Sequence, residues 1–125
     1  PSGYTEPERF YRGFVLGLMV ELLDRYSITS NRESSFGRYD VMLKPKSNIG
    51  MCKSEGLHAI IIEFKVHDAQ EEKSMKETVD AALLQIEEKQ YDSALKAEGI
   101  LDEQIKKYGF AFEGKTVLIG WEAVL

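Results

Sequence analysis

The sequence predicts an α/β fold, a mixed β-sheet flanked by helices in the order α-β-β-β-α-β-β. Three observations predict it. Residues 6–26 repeat apolar side chains every four residues. Three later stretches, around residues 38–43, 57–66 and 108–121, alternate or run apolar as strands do. Between the last two lies a long amphipathic, acid-rich segment.

In the first segment Phe10, Phe14, Leu18 and Leu22 recur at helical spacing, with Tyr11, Val15 and Met19 beside them. Pro7 suits a first turn. Gly13 and Gly17 lie on one face, where they weaken the helix and let another element come close. Residues 27–44 turn polar and then alternate, which predicts a short strand over 27–33, a bend near Ser35 to Gly37 and a strand from Arg38 to Leu43. In that strand Arg38, Asp40 and Met42 share one face, and Tyr39, Val41 and Leu43 the other. Pro45 and Gly50 mark a loop. Over 57–66, Ile60, Ile62, Phe64 and Val66 make a wholly apolar face, while Ala59, Ile61, Glu63 and Lys65 make the other. Such a strand is buried on both sides, with charge only at its C-terminal end, where ligand sites of open α/β sheets tend to lie. Ser74 and Glu77 form a candidate capping box, although acidic residues from Asp68 allow an earlier start. Val79, Ala82, Leu83 and Ile86 give that second helix a core stripe, and Gly99 is its expected terminator. A hairpin follows, turning at Glu113-Gly114.

The 125 residues fit one domain, residues 1–125. Hydrophobic residues at 43% and charged residues at 30% exclude a disordered chain, and no apolar run approaches a membrane span. No secretory signal is visible. The start at Pro1, without a methionine, is compatible with a trimmed chain or a piece of something larger. One cysteine, Cys52, excludes an internal disulfide and a cysteine-cluster zinc site, and fits a reducing compartment, so a cytoplasmic location is expected. His58 and His67 come without any nucleophile motif. The net charge of −5 argues against nucleic-acid binding through the whole surface, but the acid excess sits in the second half and leaves room for a local basic lip.

The chemistry concentrates on three charges. Glu63 and Lys65 point the same way by strand alternation, and Asp40 lies mid-strand on the less apolar face of its own strand. Pairing of the two strands would bring two carboxylates and an ammonium together. Two close carboxylates repel unless one takes a proton or a cation sits between them, and a hard divalent metal is the natural cation for oxygen ligands. The plainer reading of Glu63 and Lys65 is a weak ion pair at a strand end. Against it, all three charges interrupt runs that would pack better without them.

Asp40, followed by an apolar strand carrying Glu63-Phe64-Lys65, resembles the signature of the PD-(D/E)XK nuclease superfamily, and the element order resembles its restriction-endonuclease-like core. The segments SNRESSFGRYDVML, IIIEFKV and ALLQIEEKQY are similar to the nuclease-like domain found at the C-terminus of AAA-ATPase-like proteins. ERFYRGFVLGL is similar to that domain's first helix, with Arg12 where a histidine is expected. The resemblance implies Asp40 and Glu63 as ligands of Mg²⁺, with Mn²⁺ as substitute, the Phe64 carbonyl and Glu8 as further ligands, and Lys65 as the residue that positions water. It implies a catalytic neighbour in Gln85, with Ala81 and Ala82 letting the helix approach the sheet. Gln85 as an exposed helix residue and Glu8 as a solvated first-turn residue remain the plainer alternatives. Arg38 either contacts phosphate or pairs with Glu33, and Tyr91 is expected to pack rather than stack on a base. The implied activity is metal-dependent hydrolysis of DNA, with branched DNA as a substrate and a homodimer implied by the small junction-resolving enzymes of the Holliday-junction type, which act as dimers. The alternatives are a silent module that binds nucleic acid or an ATPase partner and, last, a hydrolase of small phosphorylated substrates, for which no glycine-rich phosphate loop is present.

Overall fold

The computed structural model describes residues 6–30, 37–46 and 58–122, with side chains described from Arg9 onward. Five strands form one sheet in the order β1-β2-β3-β4-β5: β1 (Tyr26–Ser30), β2 (Arg38–Pro45), β3 (Ala59–Val66), β4 (Ile105–Glu113) and β5 (Thr116–Trp121). All neighbours are antiparallel except β3 and β4, which run parallel, so the sheet is mixed. A parallel pair needs a crossover, and the chain between β3 and β4 supplies it with α2 (Met75–Lys89) and the short α3 (Ser93–Ala97).

Helix α1 (Glu6–Leu22) covers one face of the sheet. Tyr11 and Val15 pack there with Val41, Leu43, Ile62, Phe64, Phe110 and Phe112. The aromatic rings meet edge-on, Tyr11 to Phe112 at 4.9 Å and Phe64 to Phe110 at 5.1 Å between centroids, the arrangement the ring quadrupoles favour. Helix α2 covers the other face, where Ile86, Leu95, Ala59, Ile61 and Ile105 form a second core. Ser74 caps α2 by accepting the Glu77 N–H at 3.3 Å. Glu77 returns its carboxylate to the Lys73 N–H rather than to that of Ser74, so the expected box closes one residue early.

The element order matches the expectation, with corrections at the edges. The first helix stops at Leu22 rather than running to 26, and Tyr26 already pairs in the sheet. The second helix does not run to Gly99. It ends at Lys89, where Gln90 adopts φ 51° and its N–H bonds the last carbonyls, and Gly99, at φ 91°, follows the separate turn of α3. The hairpin turn at Gly114 takes φ 59°, which favours glycine. The expected strand end over 31–33, the bend at 35 and 36, Glu33 and Cys52 lie outside the described residues.

How close α2 sits to the sheet is set by two glycines. An added Cβ at Gly109 would lie 3.0 Å from the Val79 carbonyl oxygen and 3.1 Å from the Ala82 Cβ, and one at Gly120 would lie 2.5 Å from Val79 Cγ1. Ala82 is fully buried against this surface. Gly109→Ala must therefore push α2 outward. A loss of about 1–3 kcal/mol is expected in urea denaturation, because the obstructing atoms are backbone and Cβ atoms that cannot swing away.

Candidate metal centre

The strand register brings Asp40 directly opposite Glu63, and Arg38 directly opposite Lys65. Opposed residues of an antiparallel pair share a face, with Cβ atoms roughly 4.5–5.5 Å apart. The carboxylates lie on the α2 side, in line with Met42 and Ile61 of the second core. Asp40 is 7% exposed and Glu63 2%. The local cause is the sequence itself: β3 is apolar on both faces, so a glutamate placed there has no route to solvent.

That burial dominates the electrostatics. Loss of hydration, and then the Asp40 charge, push the Glu63 carboxyl up to about 7, against the opposing pull of Arg38 and Lys65. The Arg38 Nε lies 3.6 Å from Glu63 Oε2, a long contact from a side chain that is itself 42% exposed. Glu63 Oε1 is buried with no hydrogen-bond partner among the described residues. A buried carboxylate oxygen left without a donor is costly unless a cation or a proton supplies one. Across the sheet the Tyr11 hydroxyl is likewise buried without a partner, and burial, followed by the Glu63 charge, pushes its pKa up.

Lys65 stands two residues along the same face, yet its strong partner is neither Glu63 nor Asp40. Its Nζ lies 2.7 Å from Glu72 Oε2. Glu72 was passed over in the sequence, where it reads as part of a solvated acidic run. In the fold it is 9% exposed, and its other oxygen accepts the Asp68 N–H at 2.9 Å and the Thr78 hydroxyl at 2.8 Å. Thr78 lies 2.7 Å from His67 Nδ1, which carries the proton when the hydroxyl donates to Glu72. Burial raises Glu72, but the Asp68, Lys65 and Thr78 hydrogen bonds outweigh it and hold the carboxyl below its ordinary value. The only sequence signal for this network was Thr78 among the apolar residues of the α2 stripe, where it is fully buried.

The other candidates take different places. Gln85 is half-buried on α2, in the helical stripe of Thr78 and Ala82 that faces the carboxylate side. The Phe64 side chain is fully buried on the α1 side, which leaves only its main-chain carbonyl for the centre. The side chain of Glu8 lies outside the described residues. Tyr91 packs against the second core and, with Asp40, Met42, Ile61, Thr29 and Ser30, lines a cleft of about 170 Å³. A larger cavity of about 720 Å³ lies toward the N-terminal end of β4, away from the carboxylate pair, among Glu87, Asp92, Lys96 and Lys107. Those four side chains are tied into ion pairs of 2.8–3.2 Å, so it is the smaller cleft that meets the unusual chemistry.

No set of three or more His, Cys, Asp or Glu side chains is grouped around one point among the described residues. The donor set is two carboxylates, one oxygen of which, Glu63 Oε1, is orphaned. It fits Mg²⁺, which takes one or two carboxylates and completes its octahedron with water and substrate phosphate.

A mixed five-stranded sheet between helices, with an aspartate opposed to an E-x-K strand, defines a nuclease-type fold. The chain belongs to the PD-(D/E)XK nuclease superfamily, whose family profile matches residues 6–122. None of the curated proteins and none of the solved structures compared matches it. No helix among the described residues is long and apolar enough to cross a membrane.

Proposed function

We propose that this chain is a Mg²⁺-dependent endonuclease that hydrolyses DNA phosphodiester bonds, accepts Mn²⁺ in place of Mg²⁺, and acts at Asp40, Glu63 and Lys65. The observation that carries the reading is the buried Asp40–Glu63 pair with its orphaned oxygen. Asp40, Glu63 and the Phe64 carbonyl would hold the cation, and the resemblance to the superfamily adds Glu8 as a further ligand. When bound, the cation supplies positive charge to the scissile phosphate and acidifies water at the centre. Lys65, fixed by Glu72, offers N–H donors that orient the attacking water or the phosphate, and Gln85 borders the same space. Arg38, half-exposed at the mouth of the pair, contacts the phosphate backbone. The superfamily, which includes junction-resolving enzymes that act as dimers, supports a branched, Holliday-type DNA substrate and a homodimer.

The second reading is a catalytically silent module that binds nucleic acid or serves an AAA-ATPase-like partner. The net charge of −5 and the engagement of Lys65 by Glu72 favour it. One experiment separates the two. Branched, duplex and single-stranded DNA are incubated with Mg²⁺, Mn²⁺ or chelator. Cleavage that requires the metal and prefers the branched substrate is the expected result, and intact DNA under every condition leaves only the silent module.

A further inference from the structure

Helix α1 buries enough apolar surface on its inner side to hold itself in place, since Phe10, Tyr11, Phe14, Val15, Leu18, Met19 and Leu22 all turn to the sheet. Its outer side should then be charged. Instead Leu16 is 65% exposed and Val20 61%, and Leu23 in the following turn is 50% exposed. Gly13 and Gly17 lie between them, and an added Cβ at either would meet nothing within 4 Å. The outer side of α1 is therefore a bare apolar strip.

The order of residues along this strip is complementary to itself. At 3.6 residues per turn, Gly13, Leu16, Gly17 and Val20 lie about one line down the outer side. Arg9 and Arg12 stand before them, and Glu21 and Asp24 after them. Let two copies of α1 lie antiparallel about a two-fold axis between Leu16 and Gly17. Residues equidistant from the axis then meet. Leu16 fills the gap over Gly17 of the other copy, Val20 fills the gap over Gly13, Arg12 lies beside Glu21, and Arg9 lies near Asp24. Large meets small and positive meets negative about one axis, which is the condition an isologous two-fold contact imposes. A surface shaped for an unrelated partner has no reason to satisfy it.

We propose that the outer side of α1 is the contact between two copies of this chain. The helix pair is about 25 Å long, a small contact that makes a weak and reversible dimer. The carboxylate pair lies on the α2 side of the sheet, away from the outer side of α1. This contact deepens the homodimer of the proposed function and rests on that reading; metal-dependent cleavage by a chain that sediments as a monomer would overturn the contact and leave the nuclease standing.

Sedimentation across micromolar concentrations tests it. The unaltered chain is expected to dimerise reversibly. Arg12→Glu and Glu21→Arg, each alone, place like charges together twice per dimer and should weaken it at least about tenfold. Combined in one chain they restore the opposed signs and should return the dimer to near its original strength. Leu16→Glu should give a folded monomer, with unchanged circular dichroism and urea midpoint. A chain that is monomeric throughout, charge reversals without effect, or a double reversal no stronger than the singles would each overturn the proposal.

Discussion

Asp40→Asn and Glu63→Gln each lower metal-dependent DNA cleavage by at least about two orders of magnitude, and each leaves the metal-free protein as stable as the unaltered chain or more so. The two effects have one cause. Without a cation, the fold holds two carboxylates on opposed residues, both nearly excluded from water. The cost falls on Glu63, whose carboxyl is pushed up to about 7 by burial and then by Asp40. A group whose pKa is raised on folding favours the folded state while it stays protonated. Its contribution is full below the unfolded carboxylate value and is lost as pH rises through the folded one. Metal-free stability should therefore fall between about pH 4.5 and 7 and level off above, by as much as about 3 kcal/mol on the scale of the shift. Glu63→Gln should flatten that fall. Mg²⁺ replaces the missing proton, so it should raise the melting temperature more at pH 8 than at pH 5 in the unaltered chain, and little in either variant. Urea and thermal denaturation with chelator, then with Mg²⁺, read all three. A metal-free chain that grows more stable from pH 5 to 8 would remove the electrostatic basis of the centre.

The parts of this site that were legible in the sequence are those written in strand alternation. Glu63 and Lys65 share a face because they are two residues apart, and Asp40 and Met42 share one for the same reason. The charges stood out because they interrupt apolar runs. What pairs with what was not legible, because it depends on register and on the crossover. The acidic residues from Asp68 allow an earlier start of the second helix. They turn under the end of β3, where Glu72 is held by the Asp68 N–H and by Thr78 from α2. The plainer alternative, an ion pair between Glu63 and Lys65, is replaced by two others: Lys65 goes to Glu72, and Arg38 goes to Glu63. The division of the second helix was hidden for a similar reason. Gln90 has no preference that announces a left-handed turn, and the chain leaves the helix there so that Leu95 can be buried against Ile86 and Ile105. Gly109 carries no signal in the sequence, and only the packing of α2 gives it a task.

Lys65→Ala should lower cleavage by at least about two orders of magnitude, Glu72→Gln by at least about tenfold, and the double variant by no more than Lys65→Ala alone. The argument lies in the atoms. Glu72 Oε1 is saturated by the Asp68 N–H and the Thr78 hydroxyl, which fixes the plane of the carboxylate and aims Oε2 at Lys65. A glutamine keeps the first two contacts through its carbonyl oxygen and turns an NH₂ group toward the lysine, donor against donor. Lys65 is then released in a space where the Asp40–Glu63 pair is the nearest alternative anion on its face. An ammonium drawn onto those carboxylates would compete with the cation, so Glu72→Gln should also raise the Mg²⁺ concentration needed for half-maximal rate, an effect that simple loss of stability would not produce. Lys65→Ala leaves Glu72 largely buried with two donors and no countercharge, at a stability cost of about 2 kcal/mol. The double variant should recover most of that loss, because it removes the stranded charge as well. If the two substitutions instead multiply in rate, Glu72 acts on the reaction by a route other than Lys65, and the lysine's place in the centre has to be redrawn.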